Sequence, residues 1–167
     1  LDDDGDFRSE ECVELLKQSD IVCTNPPFSL FRGFVDLLVE HNKKFLIIGN
    51  MNAITYKEMF TLIKTDRVWL GHTHPKVFVV PDSYEQKETG SWRDENGVSF
   101  RSFGNICWFT NLDTPKHHED IILYRKYDPA LYPTYDNYPA INVDKVKDIP
   151  CDYPGVMGVP ISFMDKY

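Results

Sequence analysis

Pro26 and Pro27 constrain this chain more than any other pair of residues. Proline has no amide hydrogen to give and its ring locks φ, so neither a helix interior nor a central strand runs through two in succession. The apolar stretch Ile21-Val22-Cys23 before them therefore reads as a brief buried strand that must leave its sheet at Asn25. Upstream, Ser9 is placed as an N-cap, Glu10 and Glu11 suit the positive end of a helix, and Cys12, Val13, Leu15 and Leu16 supply its apolar face. Downstream, Ser29 is predicted to cap a second helix with Phe31, Phe34, Val35, Leu38 and Val39 at helical spacing.

The unbroken run Phe45-Leu46-Ile47-Ile48-Gly49 suits a strand covered on both faces, as in a parallel sheet. Thr55-x-x-Glu58 matches a capping box for a third helix, with Met59, Phe60, Leu62 and Ile63 on its apolar side. Strand, helix, strand, helix in this order argues for an α/β layered sheet. After Thr65 the rhythm changes. Val68-Trp69-Leu70, Val77 to Val80, Ile106 to Phe109 and Ile121 to Tyr124 read as strands without helices between them, a hairpin-rich C-terminal half. Residues 82–102 are polar and read as a long functional loop. Two segments are expected, 1–127 as the α/β domain and 128–167 as an irregular, Tyr- and Pro-rich stretch wrapping it, anchored by Ile141, Val143, Val146 and Val156.

At 167 residues the chain is long enough for one domain with a real core. No apolar run approaches the ~20 residues of a membrane-spanning helix. Four cysteines form no C-x-x-C pair, and Cys12, Cys23 and Cys107 lie among apolar neighbours, so reduced, mostly buried thiols of a cytoplasmic protein are expected. The net charge of −8 argues against broad attraction to a polyanion, though not against a local basic surface.

Ligands of open α/β sheets gather beyond the carboxyl ends of the strands, where Asn25-Pro26-Pro27-Phe28 sits. An exocyclic amino group on a nucleic-acid base offers two N–H donors. The Asn25 side-chain carbonyl and the Pro26 backbone carbonyl can accept one each, drawing the nitrogen toward a tetrahedral shape with its lone pair aimed outward. The diproline holds both acceptors in place beforehand. Phe28 offers a flat face for a base that has been flipped out of its stack. The matching electrophile is the sulfonium methyl of S-adenosylmethionine, and orientation rather than strong base catalysis would carry the reaction.

With those residues in view, the chain resembles the adenine-specific DNA methyltransferases of the EcoRI modification-methylase family. The resemblance runs through Asp4 to Glu11, Asn25 to Arg32, Phe45 to Glu58, Gly104 to Leu112, Tyr135 to Tyr138 and Gly155 to Pro160. It implies a partial class I (Rossmann-like) S-adenosylmethionine-dependent methyltransferase fold acting on adenine N6 in double-stranded DNA, and functional pairing with a restriction endonuclease. By the same resemblance Asp6 accepts the cofactor's adenine amino group, Phe7 touches that ring, and Trp108 or Phe109 covers the flipped base. The family's glycine-containing cofactor loop is expected upstream of Asp2, making this chain the middle of a larger enzyme.

Other signals are weaker. Asp2, Asp4, Gly5 and Glu11 fit an EF-hand loop poorly, and His72, His74, His117 and His118 match no zinc spacing and read as solvated, so no metal is assigned. Lys57, Lys64 and Arg67, near the third helix, could meet phosphates, though exposed helix charges usually serve only solvation. Two alternatives stand beside DNA adenine methylation. One is methylation of an RNA guanine N2 amino group, and the other is a non-catalytic DNA-binding remnant.

Overall fold

The structure, a computed structural model, describes residues 5–85 and 87–165. Asp2 and Asp4, weighed above as calcium ligands, lie outside the described residues. The chain divides into two compact units, Leu1–Asp113 and Thr114–Tyr167. The division falls earlier than residue 127 because Leu123 and Tyr127 pack on the core of the second unit.

The first unit is mixed α/β. Helix α1 (Glu10–Gln18) starts as its sequence predicts, with the Ser9 hydroxyl accepting from the Cys12 amide at 3.3 Å and acidic residues in the first turn. Its apolar face is shallow, however, since none of its residues is buried and Leu15 is exposed. Strand β1 (Ile21–Thr24) pairs in parallel with β2 (Lys44–Asn50), and helix α2 (Phe31–Glu40) makes the crossover. Helix α3 (Lys57–Lys64) leads to β3 (Trp69–Leu70). A later strand, β7 (Ile106–Thr110), lies antiparallel between β2 and β3, giving the order β1-β2-β7-β3. The strands that alternate with helices thus all run one way, and β7 alone is reversed.

The core sits between this sheet and α2. Phe45 and Ile47 of β2, Phe31, Val35 and Leu38 of α2, and Cys107 and Phe109 of β7 are all buried. Gly49 ends the buried row because nothing larger fits: a Cβ there would stand 2.5 Å from the Phe31 ring and 2.8 Å from that of Phe109. Asn111 extends the sheet with its side chain, accepting from the Phe45 amide and donating to the Lys43 carbonyl, both at 2.8 Å. The Lys43 ammonium in turn donates to the Lys17 and Ser19 carbonyls at the end of α1, where a cation meets the negative pole of the helix.

Several expectations are corrected. Strand β1 is present but largely exposed, because it lies at the edge of its sheet, and Cys23 on it is exposed rather than buried. Ser29 does not cap α2. It lies in a 3-10 turn, Phe28–Leu30, and Leu30 takes the N-cap position without a side-chain bond. The capping box at Thr55 is likewise absent, since the Thr55 hydroxyl donates backward to the Asn52 carbonyl at 2.7 Å and closes a 3-10 turn, Met51–Thr55.

The stretch expected to be a long loop holds a hairpin, β5 (Ser91–Arg93) and β6 (Ser99–Ser102), with β4 (Val77–Val79) pairing on its other side. Its turn is set by Asp94, whose carboxylate accepts from the Asn96 and Val98 amides, and by Gly97 at φ +80°. Residues 121–124 form no strand. Among the described residues a single bridge, Arg125 to Pro150, touches this region, and Ile122 and Tyr124 are exposed.

The second unit has its own core of Tyr132, Ile141, Val143 and Ile149, with Val146 packed against it. Short parallel strands β8 (Ala140–Asn142) and β9 (Val156–Gly158) span it. Val156, expected as an anchor, is exposed, since the alternation of β9 turns it away. His74 and His117 are half-buried rather than solvated. Among the described residues no three His, Cys, Asp or Glu side chains converge on a common point, and no helix is long and apolar enough to cross a membrane.

Candidate active site

Strand β1 ends at Thr24, and its continuation Asn25-Pro26-Pro27-Phe28 turns off the carboxyl edge of the parallel pair. Pro26 is buried and fixes the segment from below, while Asn25 and Phe28 on either side of it reach solvent. The Pro27 carbonyl accepts from the Leu30 amide at 2.9 Å, so the segment passes directly into the 3-10 turn that starts α2. The local sequence thus makes a rigid corner: two prolines leave the ladder and a hydrogen-bonded turn holds them.

A cavity lies on each side of that corner. The larger, of about 400 Å³, is lined by Gly5, Asp6, Phe7, Thr24, Asn25, Pro26, Pro27, Leu30 and Phe34. Here the structure brings together four of the residues singled out from sequence, Asp6, Phe7, Asn25 and Pro26. They meet because the Phe7 ring packs edge-on against Phe34 of α2, with centroids 5.2 Å apart, which draws the turn before α1 toward the β1 corner. The smaller cavity, of about 120 Å³, is lined by Phe28, Phe31, Asn50, Asn52, Ala53 and Tyr56, at the carboxyl end of β2. The tetrapeptide therefore divides its side chains, with Asn25, Pro26 and Pro27 on the larger space and Phe28 on the smaller.

Asp6 is held by a neighbour. The Arg8 guanidinium grips its carboxylate in a forked arrangement, Nε to Oδ1 at 2.9 Å and to Oδ2 at 3.2 Å, and the Arg8 amide adds a bond to Oδ1 at 2.9 Å. These hydrogen bonds, from the side chain first and the backbone second, lower the Asp6 carboxyl from 3.8 to about 2. A carboxylate so placed beside the Phe7 ring is a ready acceptor for an amino or hydroxyl group, and any such ligand shares it with Arg8 or displaces Arg8.

Trp108 and Phe109 are placed differently from the others. Strand alternation turns the Phe109 side chain into the core, where it is fully buried with its ring 5.0 Å from that of Phe31. Trp108 is half-buried on the opposite face, where its Cβ lies against Gly71. Neither lines either cavity. Phe109 instead backs Phe31, which does line the smaller one.

Sequence reasoning did not single out Phe34, Asn50, Asn52 or Tyr56 as site residues. Phe34 reads as an ordinary core position of α2. Asn50 carries a legible signal, an N-cap type directly after an apolar strand, and its side chain does accept from the Asn52 amide at 2.9 Å. Tyr56 gave no local signal, because its place beside Phe28 is made by β1 and β2 lying side by side.

A family model described as "Adenine-specific methyltransferase EcoRI" matches residues 1–167. The chain is 56% identical over 169 residues to the Type II methyltransferase M.EcoRI of Escherichia coli, an alignment that covers 98% of this chain and 52% of that protein. It is 44% identical over 174 residues to the Type II methyltransferase M.MgeORF184P of Mycoplasma genitalium, covering 100% of this chain and 55% of that protein. A third relative, the Type II methyltransferase M.MpnI of Mycoplasma pneumoniae, is 42% identical over 169 residues, with 98% and 53% covered. The chain spans about half the length of the curated relatives it matches. No solved structure matches it.

Proposed function

This chain belongs to the EcoRI family of adenine-specific methyltransferases, and from that premise we propose that it carries the catalytic corner of an S-adenosylmethionine-dependent DNA adenine N6-methyltransferase of the restriction-modification type. The observation that carries the reading is the corner itself, Asn25-Pro26-Pro27-Phe28 at the carboxyl end of a parallel strand with a cavity on each side. The parallel pair with its helical crossover supports a partial class I, Rossmann-like fold, since sites in such sheets form beyond the strands' carboxyl ends.

In this reading the larger cavity takes part of the methyl donor and the smaller takes the flipped base. The larger cavity suits the donor chemically. It joins the Asp6 carboxylate, a hydrogen-bond acceptor that Arg8 keeps ionised, to the rings of Phe7 and Phe34 and to two prolines, a surface for a flat aromatic ring that carries an amino group. When bound, S-adenosylmethionine would supply an electrophilic sulfonium methyl. The chain's own residues do the rest. The Asn25 side-chain carbonyl and the Pro26 backbone carbonyl accept the two hydrogens of adenine N6, which localises the nitrogen lone pair and points it across the corner. Phe28 stacks on the extruded ring. The nitrogen is acidic once methylated and sheds its proton to water, so no side chain need act as a strong base. Orientation of the two reactants is worth up to ~7–11 kcal/mol in such a site. Phe109 serves from behind, holding Phe31 against the base cavity.

Duplex DNA is the proposed substrate, in keeping with the family, and a cognate restriction endonuclease is the proposed functional partner. The test is transfer of a labelled methyl group from S-adenosylmethionine to duplex DNA, compared with RNA, by the intact protein. Labelled N6-methyladenine in the digested DNA is the expected product. Transfer to guanine in RNA would favour the guanine N2 alternative, and no donor binding in a calorimetric titration would favour the remnant.

A further inference from the structure

We infer that Arg32 is a ligand for a DNA backbone phosphate flanking the extruded nucleotide, and that Tyr56, which it covers, is the second aromatic wall of the base cavity. The inference deepens the reading of the smaller cavity given above and rests on it.

Two aromatic rings line that cavity with much of their surface left open, Phe28 at 42% exposure and Tyr56 at 38%. Apolar rings left exposed at the rim of a concave site are sites for a flat π-ligand, because every base has two faces to stack. Tyr56 is not a floppy surface residue. It joins the 3-10 turn to α3, and its amide donates to the Ala53 carbonyl at 3.0 Å. The Arg32 guanidinium carbon stands 5.3 Å from the centre of the Tyr56 ring, within cation–π range. That contact orients the ring and also fixes a positive charge beside the cavity.

Arg32 is exposed on α2, and among the described residues no carboxylate lies within ion-pair distance of it. In a chain of net charge −8, an arginine left without a carboxylate at the edge of a base-sized cavity is a local reversal of the prevailing field. Flipping swings a nucleotide out about its own backbone, so a base that enters the cavity brings its flanking phosphates to the rim. A guanidinium there meets phosphate oxygens with its forked donors, which a carboxylate-paired arginine could not do. The same residue thus makes a cation–π contact with the wall of the base pocket and neutralises the backbone that delivers the base.

The experiment measures binding of a duplex oligonucleotide that the wild-type protein methylates, across a range of salt concentrations, with the intact protein and its variants. Arg32→Ala and Arg32→Gln are both expected to raise Kd about tenfold and to reduce the slope of log K against log salt by about 1, the signature of one lost phosphate contact. Arg32→Lys should restore the slope while recovering only part of the affinity, since it keeps the charge but not the fork. Tyr56→Phe should behave as wild type, and Tyr56→Ala should raise KM for duplex with donor affinity unchanged in calorimetry. A wild-type slope and Kd in both Arg32→Ala and Arg32→Gln overturns the phosphate assignment, and a wild-type KM in Tyr56→Ala overturns the wall. Asn25→Ala, run alongside, separates the two levels. If it is inactive while the Arg32 and Tyr56 variants are normal, only this inference fails. If it turns over normally, the reading of the whole corner fails.

Discussion

Asn25 has the most to do in the proposed reaction and little to do in the fold, since it is exposed at the rim of the larger cavity. Asn25→Ala should therefore leave thermal stability nearly unchanged and shift donor affinity far less than kcat, which should fall by about 10²–10³-fold, the usual cost of removing one preorganised hydrogen-bonding group. Single-turnover methylation and calorimetry on the same preparation check both halves. Asp6 makes a separate prediction. Its carboxyl is lowered from 3.8 to about 2 by the Arg8 side chain and amide, so the ionised form is favoured in the folded state. The stabilisation this provides is complete above the ordinary value near 3.8 and is lost as pH falls through about 2. A carboxyl-carbon NMR titration should show that low midpoint, and Arg8→Ala should raise it toward 3.8. An Asp6 midpoint at the ordinary value with Arg8 in place would contradict the pairing.

Elements are held to one another by a few contacts that can be probed singly. Gly49 lets β2 pass under the Phe31 and Phe109 rings, and the space a methyl group would need is already taken. Gly49→Ala is expected to destabilise the protein by about 1–3 kcal/mol, the range for overpacking a filled core, read as a lowered denaturation midpoint. Wild-type stability in that variant would mean that the two rings move apart freely. Lys43 joins α1 to the start of β2 through the carbonyls of Lys17 and Ser19. Lys43→Met keeps the length of the side chain and should cost about 0.3–1 kcal/mol, with faster amide exchange confined to the last turn of α1. The elements legible in sequence were those whose signal is local. Ser9 caps α1, and of the residues that helical spacing marked on α2, Phe31, Val35 and Leu38 are buried while Phe34 and Val39 are half-buried. The caps expected at Ser29 and Thr55 were lost because 3-10 turns shift each helix start, a choice made by hydrogen bonds to Pro27, Asn52 and Ala53 carbonyls that no sequence pattern announces.

Each of the two compact units has buried residues of its own among the described residues. Ile141 is fully buried in the second, so Ile141→Ala should cost about 2–5 kcal/mol there and sharply speed amide exchange along β8 and β9. Sequence by itself determined the rhythm of strand and helix through residue 65, the corner at Pro26 and Pro27, and the chemistry that Asn25 and Phe28 can offer, because proline geometry, periodicity and functional groups belong to short stretches of chain. It could not settle which strands pair. The reversed β7 between β2 and β3, the pairing of β4 with β6 and the loss of a strand at 121–124 depend on partners far along the chain, whereas the β5–β6 hairpin rests on the local turn at Asp94 and Gly97 and was simply not read from it. The same holds for the site. Asp6 beside Asn25, Tyr56 facing the space under Phe28, and Phe109 turned into the core are consequences of side chains from distant segments meeting, and a meeting of that kind is decided by packing in three dimensions.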